Sequence, residues 1–242
     1  MSRPNILIFM TDQHQAATLD VGHPCLTPHA DRFVSQGIRF SRAYTPTALC
    51  APARASLMTS LYPHRHGMLN NPHVPQAIRK GLAGPFPHFS ERLKESGYRM
   101  SYCGKWHVSE EKSPRDHGWE EADAATQRTL WRSATGKVPA NRGWSLNRPG
   151  YEPYLLYGAA ECGPEEFSEH QWTRHAIGKM SELAKGPNPW CLYLGLHGPH
   201  DPYVAPAEFV KRYDPAKIPK PPSFQESTTG WCRPGQPVGL IF

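Results

Sequence analysis

Asn5-Ile6-Leu7-Ile8-Phe9-Met10-Thr11-Asp12-Gln13 is the stretch that sets the fold class. Its apolar run lacks the polar alternation of a half-solvated strand, so it predicts a strand buried on both faces of a parallel sheet. In open α/β sheets ligands gather beyond the carboxyl ends of strands, which marks Asp12 as a candidate site residue. Two later segments repeat the pattern. Phe89 to Ser96 has helical character, stops at Gly97 and feeds a strand from Tyr98 to Cys103. Pro164 to Lys185 carries Phe167, Ala176, Met180, Leu183 and Ala184 at helical spacing, stops at Gly186 and feeds a strand from Trp190 to Leu196. Strands alternating with helices predict a three-layer α/β/α domain with a mostly parallel sheet. The strands near residues 5, 98 and 190 should lie side by side.

Between these anchors, Thr27-Pro28 begins a helix with Ala30, Phe33 and Val34 on one face and Gly37 as its stop. Ile38 to Tyr44 reads as a strand, Thr45 to Leu49 as a loop, and Tyr62 to Asn71 as a polar loop. Residues 120 to 163 lack clear periodicity but contain Trp131, Trp144, Tyr151, Tyr154 and Tyr157, a composition suited to a substrate pocket or an interface. Pro206 to Tyr213 predicts a short helix, and Ile218 to Pro222 an extended segment.

A chain of 242 residues can bury one large core or two small ones. Its 26 prolines and 20 glycines occur without low-complexity repeats, which predicts long ordered loops. A net charge of +6 would suit nucleic acid, but the Lys and Arg residues are scattered and no nucleic-acid motif accompanies them, so a nucleic-acid partner is not expected. The chain runs from Met1-Ser2-Arg3-Pro4 straight into the first strand, with neither a signal-peptide pattern nor a membrane-length apolar run. Cytoplasmic residence and no membrane partner are the expectations. Cysteines 25, 50, 103, 162, 191 and 232 form no Cys-x-x-Cys pair, which argues against a disulfide scaffold and a structural zinc site.

The chemistry centres on Cys50-Ala51-Pro52-Ala53-Arg54-Ala55-Ser56-Leu57-Met58-Thr59-Ser60-Leu61. Pro52 suits the first helical position and good helix formers follow, so Cys50 is expected just ahead of a helix N-terminus. The free N–H groups and dipole there favour an anion, either a thiolate or a tetrahedral oxyanion, and Arg54 can turn its guanidinium toward the same point.

Cys-x-Pro-x-Arg followed by Ala-Ser-Leu-x-Thr resembles the signature of the sulfatases, in which this cysteine is oxidised to the aldehyde formylglycine. The usual final Gly of that pattern is Ser60 here. Gly104-Lys105-Trp106-His107 and His197-Gly198-Pro199-His200-Asp201-Pro202-Tyr203 are similar to two further sulfatase motifs. The resemblance implies an alkaline-phosphatase-like fold and a formylglycine made from Cys50 by a formylglycine-generating enzyme. It also implies a divalent metal on Asp12 and residue 50, calcium first with manganese or another ion as alternatives, and a small-molecule sulfate ester as substrate.

On the same basis Arg54 and Lys105 hold the oxyanion, His197 protonates the leaving alcohol, and His107 takes a hydroxyl proton so that sulfate is expelled. Gln13, Asn71 and His200 are substrate-side candidates. Most members carry two adjacent aspartates after the first strand. The Asp12-Gln13 pair is similar to choline sulfatases and phosphonate monoester hydrolases, so phosphonate or phosphate esters remain an alternative substrate class. Asp116-His117-Gly118-Trp119 is read as a structural turn, since the family's metal-binding Asp pair lies much further along.

The resemblance covers about residues 4 to 224, roughly the first half of a typical member, with 225 to 242 as a tail outside the pattern. The truncation leaves out a downstream Asp with its partner and a second lysine. Low or no turnover and uncovered sheet edges or helix faces are therefore expected, and a non-catalytic fragment that binds anions or a partner stands as a third reading.

Overall fold

The computed structural model describes residues 3–75, 77–125, 138–147 and 153–220. Its main sheet consists of β1 (Ile6–Met10), β2 (Arg99–Lys105), β3 (Glu121–Ala125) and β6 (Trp190–Gly195) in the order β1-β6-β2-β3, with every pair parallel. The expected side-by-side strands near 5, 98 and 190 are present, with β6 in the middle. Met10 pairs with Gly195, and Gly195 with Gly104. This register brings the carboxyl ends of three strands level, so Asp12, Lys105 and His197 leave the sheet at one end.

Helices cover both faces. On one side, α2 (Cys50–Thr59) and α4 (Phe89–Glu95) set Ala51, Ala55, Met58, Phe89 and Leu93 against Met100, Tyr102 and Tyr193. On the other, α5 (Ser168–Leu183) packs Ala176, Met180 and Leu183 against Cys103, Leu192 and Leu194. Each nearly sealed large side chain, such as Met58 or Leu192, contributes about 1.5–3 kcal/mol through its burial. A smaller sheet, ordered β4-β5-β7, joins β4 (Gly143–Leu146), β5 (Tyr154–Ala160) and β7 (Tyr203–Pro206). It is followed by the short α6 (Ala207–Val210).

Several expectations need correction. β1 is not buried on both faces: Leu7 and Phe9 are 47% and 57% exposed, because β1 pairs only with β6 and no described element covers its second face. Ile38 to Tyr44 forms no strand; Ile38, Phe40 and Tyr44 are all exposed, and a β-prone run without a partner ladder stays irregular. α1 (Pro28–Gln36) forms as expected, yet its Phe33 is 73% exposed. The loop after α2 contains a one-turn helix, α3 (Pro63–His66), started by Pro63 and closed by Gly67 at φ 79°.

The segment that lacked periodicity contributes β3, β4 and β5. Each of these strands is only four to seven residues long, too short for a legible pattern, and pairing partners decide their state. Trp131, Tyr151 and the tail 225–242 lie outside the described residues. Among the described residues no helix is long and apolar enough to cross a membrane, and no disulfide is formed.

Candidate active site

α2 begins at Cys50 itself, with Leu49 as its cap and Pro52 two residues inside, so Cys50 occupies the first turn rather than the position before it. Leu49 offers no side-chain cap. Asn71 supplies one from a distance, its Oδ1 accepting the Ala51 N–H at 3.0 Å. Asn71 is thus buried against the helix start, on the lining of the cleft that holds Cys50.

Asp12 lies directly beyond β1, its N–H donating to the Gly198 carbonyl at 3.2 Å. The Cys50 thiol donates to Asp12 Oδ1 at 3.5 Å. Asp12 Oδ2 is paired with Lys105 Nζ and lies 3.5 Å from Arg54 Nη2. Lys105 is fully buried and Arg54 nearly so. Arg54 Nη1 and the Tyr102 hydroxyl both donate to the Lys105 carbonyl, at 2.9 and 2.6 Å, fixing the end of β2. That approach requires glycine at two places. A Cβ on Gly104, at φ 90°, would stand 2.0 Å from the Gly195 carbonyl oxygen, and one on Gly195 would meet the Lys105 carbonyl at 2.9 Å.

Lys105 and His107 do not share a face through strand alternation. His107 has φ 53°, a left-handed conformation that turns the chain between them, and such backbone costs about 1–3 kcal/mol. His107 lines the cleft and its Nε2 shares a hydrogen bond of 2.9 Å with His73 Nδ1. His197 is 6% exposed, neither of its ring nitrogens makes a well-formed hydrogen bond, and it stacks on His200 with centroids 4.6 Å apart. His200 Nδ1 faces the Asp201 carbonyl at 2.6 Å and its carboxylate at 3.2 Å. The Tyr154 hydroxyl donates to Asp201, and Gln13 Nε2 donates to the Tyr203 hydroxyl at 3.0 Å.

The structure therefore gathers Asp12, Cys50, Arg54, Lys105, His107, His197 and His200 at one end of the sheet, beside a cleft of about 1770 Å³, with Gln13 and Asn71 on its wall. His73, Tyr154, Asp201 and Tyr203 belong to the same cluster. Asp201 and Tyr203 lie in the motif from His197 to Tyr203 and Tyr154 in the aromatic-rich segment, none with a role assigned from sequence, whereas His73 carries no sequence signal. Asp116 is elsewhere, bonded to Ser113 in a turn that Gly118 closes, while His117 stacks on His88.

Burial works against ionised Asp12, but the Lys105 ammonium and Arg54 guanidinium outweigh it and hold the carboxyl far below the usual range. Burial raises the Cys50 thiol and the neighbouring Asp12 carboxylate adds to the rise, against the pull of Lys105. Cys50 is thus a protonated thiol, so of the two anions the helix end would favour, thiolate or tetrahedral oxyanion, the thiolate is disfavoured. Burial, reinforced by Lys105, depresses His107 to about 2 and His197 to about 3. Both rings are neutral at pH 7 and able to accept a proton. One buried carboxylate against two buried cations leaves a positive surplus suited to a monoanion.

Asp12, Cys50 and His200 each offer a ligand atom, and these lie within 4.8 Å of one another. They fit part of a divalent-metal shell. With sulfur at position 50 the set is soft; an oxygen there suits a harder ion.

A parallel sheet with helices on both faces and a charged cluster at the strand ends defines an alkaline-phosphatase-like α/β fold. Within that class the chain belongs to the sulfatase family, whose model matches residues 4–221. It is 27% identical over 218 residues to the uncharacterized sulfatase YidJ of Escherichia coli, covering 88% of this chain and 42% of the relative. With the choline-sulfatase of Rhizobium meliloti it shares 29% identity over 230 residues, 88% of this chain and 41% of that one. The solved phosphonate monoester hydrolase of Silicibacter pomeroyi superimposes with a TM-score of 0.69 at 24% identity, over 90% of this chain and 46% of that one. The chain spans about two fifths of the length of the curated relatives it matches.

Proposed function

We propose that this chain carries the catalytic half-site of a sulfate ester hydrolase that works through a formylglycine made from Cys50 by a formylglycine-generating enzyme. The single observation that carries the reading is the contact set around residue 50, with Asp12 3.5 Å from its sulfur and the Lys105 and Arg54 cations on the same carboxylate. A divalent ion, calcium on the family resemblance, would be held by Asp12, residue 50 and His200, with Gln13 beside them, and would add Lewis acidity when bound. Arg54 and Lys105 bind and orient the sulfate and stabilise charge on its oxygens. His197, at the buried rear of the site, passes a proton to the departing alcohol from its imidazolium form, which the bound sulfate anion favours. His107, neutral and facing the cleft, removes a proton from a hydroxyl at position 50.

The test is co-expression with a formylglycine-generating enzyme, mass analysis of the peptide spanning residues 43–54, and turnover of an aryl sulfate. The expected result is replacement of the thiol by an aldehyde together with metal-dependent turnover that Cys50→Ala abolishes. An intact thiol after co-expression, or turnover that survives Cys50→Ala, would overturn the reading. A phosphonate ester is the second reading, favoured by Gln13 where two acids are usual and by the likeness to a phosphonate monoester hydrolase. Paired aryl sulfate and aryl phosphonate substrates separate the two.

A further inference from the structure

His73 takes no part in the chemistry above, yet it is the direct hydrogen-bond partner of His107. Its Nδ1 lies 2.9 Å from His107 Nε2, and the rings stack with centroids 5.0 Å apart. The two rings differ in their surroundings. His107 is half-buried, its Nδ1 is sealed from solvent, and that atom meets no hydrogen-bond partner. His73 stands exposed on the lining of the cleft. His107 is also held in left-handed backbone, which a loop would relax unless its surroundings imposed the geometry.

We propose that His73 is the positioning and proton-relay residue of the site: it fixes His107 as the Nε2–H tautomer and passes the proton that His107 collects from the substrate side out to water. The inference deepens the proposed function and rests on it for the identity of the proton donor. With His107 Nε2–H donating to His73 Nδ1, the lone pair of His107 Nδ1 is the acceptor left inside the site. When Nδ1 accepts the hydroxyl proton, the Nε2 proton moves to His73 Nδ1, and the proton on His73 Nε2 leaves to water. Each ring gains one N–H bond and loses one, so both stay neutral and one proton crosses from site to solvent. After sulfate leaves, the pair resets when His73 Nε2 takes a proton from solvent, the shared proton returns to His107 Nε2, and His107 Nδ1 gives its proton to water that has entered the emptied site.

Neutrality throughout matters here, because an imidazolium at His107 would face the Lys105 and Arg54 cations. Burial, reinforced by those cations, holds His107 in its neutral form, and burial lowers His73 as well, against the Glu110 carboxylate. A lone His107 would have to carry that charge until a water reached it. A partner ring at 2.9 Å removes the need.

The experiment compares the full chain with His73→Phe, which keeps a flat ring but no nitrogen, and His73→Gln, which can accept the His107 N–H but cannot relay. Nitrogen-15 histidine NMR, with His107→Gln to assign the signals, reads the His107 tautomer and its ring-proton exchange without requiring turnover. The expected result is a single Nε2–H tautomer in the wild type and in His73→Gln, a mixture in His73→Phe, and ring-proton exchange with solvent slowed about tenfold or more in both variants. Where the aldehyde-bearing enzyme turns over, both variants lose about 10- to 100-fold in kcat with KM unchanged, and added imidazole restores the rate. An unchanged His107 tautomer in His73→Phe, or full exchange and kcat in His73→Gln, would overturn the relay. If turnover is absent from wild type as well, the NMR comparison still decides the relay, while the failure belongs to the proposed function.

Discussion

Ser60 illustrates how much a single residue decides. It ends α2 at φ 59°, ψ 24°, a left-handed position where glycine carries no Cβ penalty, and it is the place where the sulfatase signature ordinarily has Gly. Ser60→Gly is expected to raise stability by about 0.5–1 kcal/mol, since relief of the strained backbone outweighs the added freedom of the unfolded chain. Urea unfolding of the two proteins checks this, and a lower midpoint for the glycine variant would contradict it. Asp12 and Arg54 were readable from the sequence as a strand end and a first helical turn, and Lys105 through the sulfatase-like motif Gly104-Lys105-Trp106-His107. His73 was not, since a histidine in a Pro-flanked loop looks the same whether or not a second ring stands beside it.

Gly104 and Gly195 let two strands do what their residue patterns do not announce. β2 runs two residues further than its hydrophobic stretch suggests and carries Lys105 into the site, because its last residues pair with β3 and β6. The pairing brings Gly104 so close to the Gly195 carbonyl that no side chain fits. Gly104→Ala must push the ends of β2 and β6 apart, and with them the Lys105 carbonyl that Arg54 grips. The expected outcome is a loss of about 2 kcal/mol or more of stability, and a loss of sulfate binding in calorimetry. Wild-type stability and anion affinity in this variant would show that the close approach is dispensable. The helices α1, α4 and α5 were legible through their caps, stops and apolar spacing. The strands β3, β4, β5 and β7 were not, because short segments take their state from the neighbour that pairs with them.

At the scale of the molecule, buried neutral histidines link folding to pH. His88 is 1% exposed, stacks on His117 with centroids 3.7 Å apart, and is depressed by burial to about 3. A folded pKa below the unfolded value of 6.5 means that the unfolded chain binds the proton first. The stabilisation is whole above pH 6.5 and shrinks as pH falls toward 3, by about 1.4 kcal/mol per unit for each such group. Denaturant unfolding between pH 7 and pH 4 should show this decline, and His88→Phe, which keeps the stack without a titrating group, should make it shallower by one group's share. A pH-independent wild type would refute the account.

The apolar faces of β1 and α1 stay exposed, as expected for a chain that spans about two fifths of its relatives' length. The sequence by itself determined the α/β class and the family, because long apolar runs and a twelve-residue signature are local properties. Only the tertiary structure decided that Asn71 caps the helix of Cys50, that the thiol stays protonated, and that His73 meets His107. Each of these depends on distances between segments remote along the chain, and electrostatic and hydrogen-bond energies are functions of those distances.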